Sequence, residues 1–397
     1  MQISPGDILE VTTERLTYGG EAIARYQGLA IFIPFAAPQE RLLIQITEKK
    51  KNYARARIKK VLSPSPARIE PFCQYFGRCG GCQFQHVDYQ TQLNEKVGFI
   101  RDALKRIGGI NWQKEIPIRS AKEYGYRLRA QIKVDYDDND HLVIGFHQAN
   151  SHQLCDIESC PVLLPQLNDL LARTRSALKG QSEILTSEVD LATDGLKART
   201  EPQFFDFHTD DLEIEIGETK YRFSPSVFFQ GNFLLLEEFV NAVTQSESGD
   251  FALDLYSGVG LFSLPLAQKF KTVVGVESNL DAYDYAAQNA LLNHRTNVNF
   301  YNQKANDWLD GFFDKGNLPT PDLVVLDPPR AGAIDCLDQL IRLNAPKITY
   351  VSCDPTTLAR DLKSLLSNHY QLEQIVALDL FPQTFHIETI AFLERVA

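Results

Sequence analysis

The chain has 397 residues, of which 44% are hydrophobic and 23% charged, and its formal net charge is −11. That length and balance supply two or three domains with cores of their own and exclude a disordered or low-complexity chain. The N-terminal stretch MQISPGDILEVTTERL lacks the basic and apolar runs of a signal peptide, and no apolar run is long enough to span a bilayer. A soluble, cytoplasmic protein is therefore expected, acting as a monomer.

Residues 1–60 read as short strands separated by turns: DILEVTTERL, the turn YGGEA, then LAIFIPF, ERLLIQITEKKK and ARARIKKVL. Such a pattern predicts a small antiparallel barrel. The acidic total argues against a polyanionic partner, but phosphate binding depends on where charge lies. Here ten Lys/Arg stand against six Asp/Glu, leaving this segment at +4. Lys49, Lys50, Lys51, Arg55, Arg57, Lys59 and Lys60 crowd into its last third. Pro64, Pro66 and Pro71 then mark a linker, because proline cannot donate a backbone hydrogen bond.

Residues 61–230 mix a helical stretch, YQTQLNEKVGFIRDALKRIG, with alternating strands such as YRLRAQIKVDY and HLVIGFH, and predict an α+β domain. Cys73, Cys79 and Cys82 fall within ten residues near its start, and Cys160 follows later in Ser-Cys-Pro. With seven cysteines in all, this pattern suits a metal site better than a disulfide framework. Zinc and a 4Fe-4S cluster both accept four thiolates; the wide first gap and the final Cys-Pro favour the cluster. Cys155 competes with Cys160 for the fourth position.

Residues 231–397 change character. From Phe251 on, apolar strands (FALDL, TVVGVE, DLVVLD, KITYVS) alternate with helical stretches (LFSLPLAQKF, LDAYDYAAQNALLN, DCLDQLIRL, TLARDLKSLL), predicting a doubly wound parallel sheet. Asp254-Leu-Tyr256-Ser-Gly258-Val-Gly260 leaves the first strand as D-x-x-x-G-x-G, a spacing unlike the dinucleotide fingerprint, and Glu277 closes the next strand. A glycine turn beside a carboxylate for ribose hydroxyls points to S-adenosylmethionine, with a dinucleotide as the alternative. Asp327-Pro-Pro-Arg330 ends a third strand. Methyltransferases acting on exocyclic amines carry an aromatic where Arg330 stands, so a different acceptor atom is expected. Cys353, in Ser-Cys-Asp-Pro, ends the following strand and precedes a helix whose N-terminus would lower a thiol pKa. Glu388 opens the apolar strand ETIAFL, where an unpaired carboxyl would titrate high.

These separated motifs, with SPSVFFQGN around Gln230 and HIET around Glu388, resemble the RNA uracil-C5 methyltransferases over nearly the whole chain. The resemblance implies a TRAM domain of the oligonucleotide-binding barrel type at residues 1–60 and cluster ligation by Cys73, Cys79, Cys82 and Cys160. It implies Gln230, Tyr256, Gly258, Glu277 and Asp327 at S-adenosylmethionine, Cys353 as nucleophile and Glu388 as base. A thiolate adding to C6 makes uracil C5 nucleophilic, and a base must then remove the C5 proton. Base-modifying enzymes take their target out of the stack, and Tyr126, Arg127 and Phe228 are candidates for holding the RNA. The layout leans toward 23S rRNA, with the T-loop uridine of tRNA as alternative. A cytosine-C5 enzyme would carry a second cysteine at position 330, and a non-catalytic RNA-binding relative would lack Cys353 or Glu388. Two departures stand out: Gly231 where the family has valine, and Tyr256-Ser257 where many members have Phe-Cys.

Overall fold

The computed structural model describes residues 3–149, 151–179, 186–203, 211–244, 248–315 and 319–396. Strands β1 to β5 are Ile8–Leu16, Glu21–Tyr26, Leu29–Pro34, Arg41–Lys49 and Tyr53–Ser63. Helix α1, Tyr89–Ala103, precedes β6 (Ile118–Arg119), β7 (Arg129–Tyr136), β8 (Leu142–His147), β9 (Leu154–Asp156) and α2 (Pro165–Leu178). Then come β10 to β13 (Glu188–Thr193, Ala198–Glu201, Leu212–Ile216, Thr219–Phe223), α3 (Leu236–Thr244), β14 (Gly249–Leu255), α4 (Ser263–Leu266) and β15 (Phe270–Glu277). The chain finishes with α5 (Leu280–Leu292), β16 (Val298–Asn302), α6 (Ala305–Lys315), β17 (Leu323–Leu326), α7 (Leu337–Leu343), β18 (Lys347–Ser352), α8 (Pro355–Leu366), β19 (Tyr370–Leu378) and β20 (Glu388–Arg395). Two compact units are assembled from interleaved segments: one from Met1–Phe99, Lys133–Pro161 and Phe381–His386, the other from Ile100–Ile132, Val162–Leu380 and Ile387–Ala397.

In the first unit, β1 to β5 close a barrel in the order β1-β2-β3-β5-β4, with β3 and β5 parallel and the other neighbours antiparallel. Alternation sends Leu42, Ile44 and Ile46 of β4 inward, where they meet Leu16, Ile31, Ile33 and Ala54. β2 is an addition to the strands expected: its inward residues include Ala22 and Ala24, too small to mark a strand by hydrophobicity. Glu40 is fully buried at the barrel's edge, and Arg68 from the proline-rich linker donates to it. Burial by itself would raise this carboxyl, but Arg68 and the amides of Ala37 and Ser65 hold it below the ordinary carboxylate range. An unpaired buried charge costs several kcal/mol, roughly 3–5, so this pair pins the linker to the barrel.

The second unit contains a mixed eight-stranded sheet in the order β16-β15-β14-β17-β18-β20-β19-β6. Its first five strands are parallel, as expected, but β20 runs antiparallel to both β18 and β19. The stretch LFSLPLAQKF, expected as a helix, forms only the single turn α4: Pro265 has no amide for the Leu261 carbonyl before it, and beyond Ala267 the bonds tighten to Gln268–Pro265 and Lys269–Leu266. After β14 the chain moves to β15 on one side, and later to β17 on the other. Such a reversal opens a crevice at the C-terminal strand ends, where doubly wound sheets bind ligands. No helix among the described residues is long and apolar enough to cross a membrane.

Candidate active site

The loop after β14 turns on two left-handed residues, Tyr256 at φ 63° and Gly258 at φ 55°. Open space lies where a Cβ on Gly258 would point, so a ligand can approach its backbone. The Gly258 amide donates to Glu277 Oε2 at 2.9 Å, and the Asn279 amide to Oε1 at 2.6 Å. Each carboxylate oxygen keeps a lone pair for a ribose hydroxyl. Beneath the loop, buried Asp254 accepts from the Ser263 hydroxyl and is pushed up to about 7, chiefly by burial. Asp254 Oδ1 and Ser257 Oγ are buried without a hydrogen-bond partner. A glycine turn, a carboxylate with lone pairs left for hydroxyls and orphaned polar atoms at the strand ends fit S-adenosylmethionine.

Asp327 follows β17, and Gln230 Nε2 donates to its Oδ2 at 3.3 Å. Burial pushes Asp327 up to about 7, against the pull of that amide. Gly231 has an ordinary negative φ and open space around it, so the departure at this position leaves the Gln230 amide in place.

Ser352 pairs with Thr389 across β18 and β20. One step outward in that antiparallel register, Cys353 and Glu388 stand opposite each other at the strand ends. Glu388 is only 2% exposed, and its Oε1 has no hydrogen-bond partner. Burial, and then the charge of Asp327, raise its carboxyl well above the ordinary range, as expected from sequence. Cys353 goes the other way from expectation. Its thiol is pushed up to about 12 by burial and then by Glu388 and Asp327, with Arg330 opposing. The helix terminus gives no relief, because the Asp354 carboxylate caps α8 by accepting from the amides of Thr356 and Thr357 at 2.7 and 3.3 Å. Asp354 thus spends the helix's free N–H groups and adds another negative charge beside the thiol.

Comparison with known proteins gives this geometry a family. The tRNA (uracil-5-)-methyltransferase profile matches residues 198–396, and the TRAM-domain profile matches residues 4–59. The protein named 23S rRNA (uracil(1939)-C(5))-methyltransferase RlmD in Vibrio parahaemolyticus is 35% identical, over 97% of this chain and 95% of its own. The chain belongs to the RNA uracil-C5 methyltransferase family. A relative with the same name in Pectobacterium atrosepticum is 34% identical over 98% of this chain and 94% of its own. Among solved structures, the tRNA (uracil-54, C5)-methyltransferase of Pyrococcus abyssi, in complex with S-adenosyl-L-homocysteine, aligns with a TM-score of 0.74 at 26% identity. That alignment covers 97% of this chain and all of the other. As a family member the chain is an S-adenosylmethionine-dependent RNA methyltransferase, and its barrel is a TRAM domain.

The residues suggested for holding RNA separate on burial. Tyr126 is 1% exposed, so its ring is not presented to a substrate. Arg127 is half-buried and turns its Nε back to the Arg129 carbonyl at 2.9 Å. Phe228 is 66% exposed, two residues before Gln230, with the Arg129 guanidinium 5.3 Å from its ring centroid. Nothing in the sequence singles out Arg129, because a cation inside a strand carries no signal by itself. Arg330 reads in the sequence as the absence of an aromatic or of a second cysteine, yet its charge is the one that favours the Cys353 thiolate. The loop it stands on is anchored by buried Asp361, which accepts from Tyr350 Oη at 2.7 Å and the Ala333 amide at 2.9 Å.

The cysteine loop lies in the first unit. Cys79 and Cys82 are pushed up to about 11 and about 12, first by burial, and each also feels the charges of Cys73 and Cys160. Cys155 acts on Cys79 alone of these two and accepts from Arg78 Nε at 3.3 Å, which sets it apart from the group. The Gly81 amide donates to Cys79 Sγ at 3.4 Å, and Gly80 packs so closely on the His147 carbonyl that a Cβ there would sit 3.0 Å away. Among the described residues, however, no group of three or more His, Cys, Asp or Glu side chains is arranged to hold a metal ion. Neutral thiols have no mutual attraction to draw them into a tetrahedron; a bound cation supplies it. The donor chemistry suits a thiolate-bound cluster, while the closed ligand geometry is not formed by these side chains.

Proposed function

We propose that this enzyme forms 5-methyluridine in 23S rRNA, with Cys353 as covalent nucleophile and Glu388 as base. The observation that carries the mechanism is the placement of Cys353 opposite Glu388, one register step beyond the Ser352–Thr389 pair and beside Asp327. In the proposed sequence the Cys353 thiolate bonds to C6 of the uracil, and the ring's electrons move toward the C4 oxygen. C5 would then take the sulfonium methyl group of S-adenosylmethionine, which leaves as S-adenosylhomocysteine. Glu388 accepts the C5 proton; the C5–C6 double bond re-forms and the Cys353–C6 bond breaks. Burial that holds Glu388 high makes it a stronger base once ionised. Arg330 favours the thiolate, and Gln230 keeps Asp327 oriented at the cofactor end of the crevice.

The choice of 23S rRNA rests on the names of the relatives at 34–35% identity. The full-length similarity to a tRNA (uracil-54, C5)-methyltransferase supports the second reading, tRNA. Incubation with methyl-labelled S-adenosylmethionine and separate 23S rRNA and tRNA transcripts distinguishes them. Label is expected at a single uridine carbon 5 of the 23S transcript; label in tRNA alone would transfer the proposal to tRNA.

We further propose Cys73, Cys79, Cys82 and Cys160 as ligands of a 4Fe-4S cluster, which would clamp the loop to the later Cys-Pro segment. Protein purified without oxygen is then expected to be brown, from thiolate-to-iron charge transfer, and Cys73→Ala or Cys160→Ala to bleach it. A colourless anaerobic preparation holding stoichiometric zinc would remove the cluster.

A further inference from the structure

Strand β3 presents an anomaly on the outside of the TRAM barrel. Ile31 and Ile33 point inward and are fully buried, so Phe32 between them points outward. In β5 the buried Ala54 and Ala56 alternate with outward Tyr53, Arg55 and Arg57. β3 and β5 are parallel neighbours with Phe32 registered on Arg55, which brings one aromatic ring and this outward row together. The Phe32 and Tyr53 rings meet edge to face at 5.7 Å between centroids. They line a pocket of about 630 Å³ that Tyr18, Glu21, Arg55 and Gln83 also border. That volume lies within the usual range for small-ligand sites.

The chemistry of the pocket is that of a site for a base on a charged strand. Large rings on an outward register bury nothing of the barrel's core and offer π-surface to a planar group. Arg55 is held in place by Glu21 at 3.1 Å, and Arg57 by the Gln45 amide oxygen at 2.8 Å. Arg55 and Arg57 are two residues apart on one strand face, with their Cα atoms about 6–7 Å from each other, and they offer a path for a polyanion beside the rings. The Glu21 carboxyl is raised, first by burial, against the opposing pull of Arg55, so the pair brings little net negative charge into the pocket.

We propose that this pocket receives one unstacked base of the RNA substrate, stacked on one of the Phe32 and Tyr53 rings with the other ring against its edge, and with the flanking phosphates at Arg55 and Arg57. The inference rests on the family's RNA substrate and adds to it a contact outside the methyl-transfer site. Base stacking and phosphate pairing differ in salt dependence: only the second releases counterions.

The test uses the full-length protein and whichever transcript it methylates, with RNA affinity measured over a series of salt concentrations. Phe32→Leu and Tyr53→Leu are each expected to weaken binding about 10-fold at every salt concentration, leaving the slope of log Kd against log salt unchanged. KM for RNA should rise in step, with kcat unaffected. Phe32→Tyr, which keeps the ring, should bind as the unsubstituted protein does. Arg55→Gln should both weaken binding and reduce the slope by about 0.7–0.9. Thermal unfolding of each variant reports whether the barrel is intact. Unchanged affinity in folded Phe32→Leu and Tyr53→Leu would overturn the proposal, as would a loss that Phe32→Tyr shares. If the unsubstituted protein methylates neither transcript, the failure belongs to the choice of substrate and the same variants are read on single-stranded poly(U).

Discussion

Cys353→Ala is expected to bind RNA and S-adenosylmethionine with affinities close to those of the unsubstituted enzyme and to transfer no measurable methyl group. The expected loss is on the order of 10⁴-fold or more, the scale on which covalent nucleophiles act when their chemistry has no substitute. Carbon 5 of a neutral uracil lacks the electron density to displace a methyl group from sulfur, and only addition at C6 supplies it. None of the described groups that act on Cys353 replaces its thiol: Glu388 and Asp327 are carboxyls held high by burial, Asp354 is spent on capping α8, and Arg330 cannot be a nucleophile at all. Cys353 is half-buried at the end of β18, so truncating it to alanine removes few packing contacts and should leave the fold intact. Incorporation of labelled methyl groups, run beside equilibrium RNA binding, checks both halves of this expectation. Substantial methyl transfer by Cys353→Ala would assign activation of C5 to another group.

Glu388→Gln is expected to fail later. Glutamine preserves the size and polarity of the side chain but cannot accept the C5 proton, so addition and methylation proceed and release does not. Turnover should stop after one event per enzyme, with the methylated base left bonded to Cys353. The substitution also removes a carboxyl whose ionisation burial opposes, and with it the cost in stability that this raised titration carries at neutral pH. Glu388→Gln should therefore be at least as stable to heat as the unsubstituted protein. The double variant with Cys353→Ala should form no adduct.

Much of this site was legible in the sequence because its residues sit at strand termini, and strand termini are marked by breaks in apolar runs. FALDL, TVVGVE, DLVVLD and KITYVS each end at a residue of the crevice or just before it, and the observed strands follow them closely. The raised Glu388 was legible; the charge environment of Cys353 was not. That Cys353 is raised, when its place before a helix suggested the reverse, depends on Asp354 taking the helix's amides and on Glu388 lying across the sheet. The second of these depends on β20 running antiparallel beside β18, which no local pattern in ETIAFL announces. Tyr126, a candidate for holding RNA that a packed aromatic explains equally well, is buried, because burial of a single ring is decided by tertiary packing. β2 escaped notice since alanines carry little hydrophobic signal, and the interleaving of the two units has no composition boundary to reveal it.

The most direct measurement is to isolate the complex that Glu388→Gln forms with RNA and S-adenosylmethionine, digest both components and sequence the crosslinked peptide by mass spectrometry. The account predicts one peptide, containing Val351-Ser352-Cys353-Asp354, linked through Cys353 to a nucleotide whose mass includes the new methyl group. RNA carrying 5-fluorouridine at the target should give the unsubstituted enzyme the same linkage, since fluorine cannot leave as a proton. Methylated RNA released without any adduct, or an adduct on a residue other than Cys353, would contradict it.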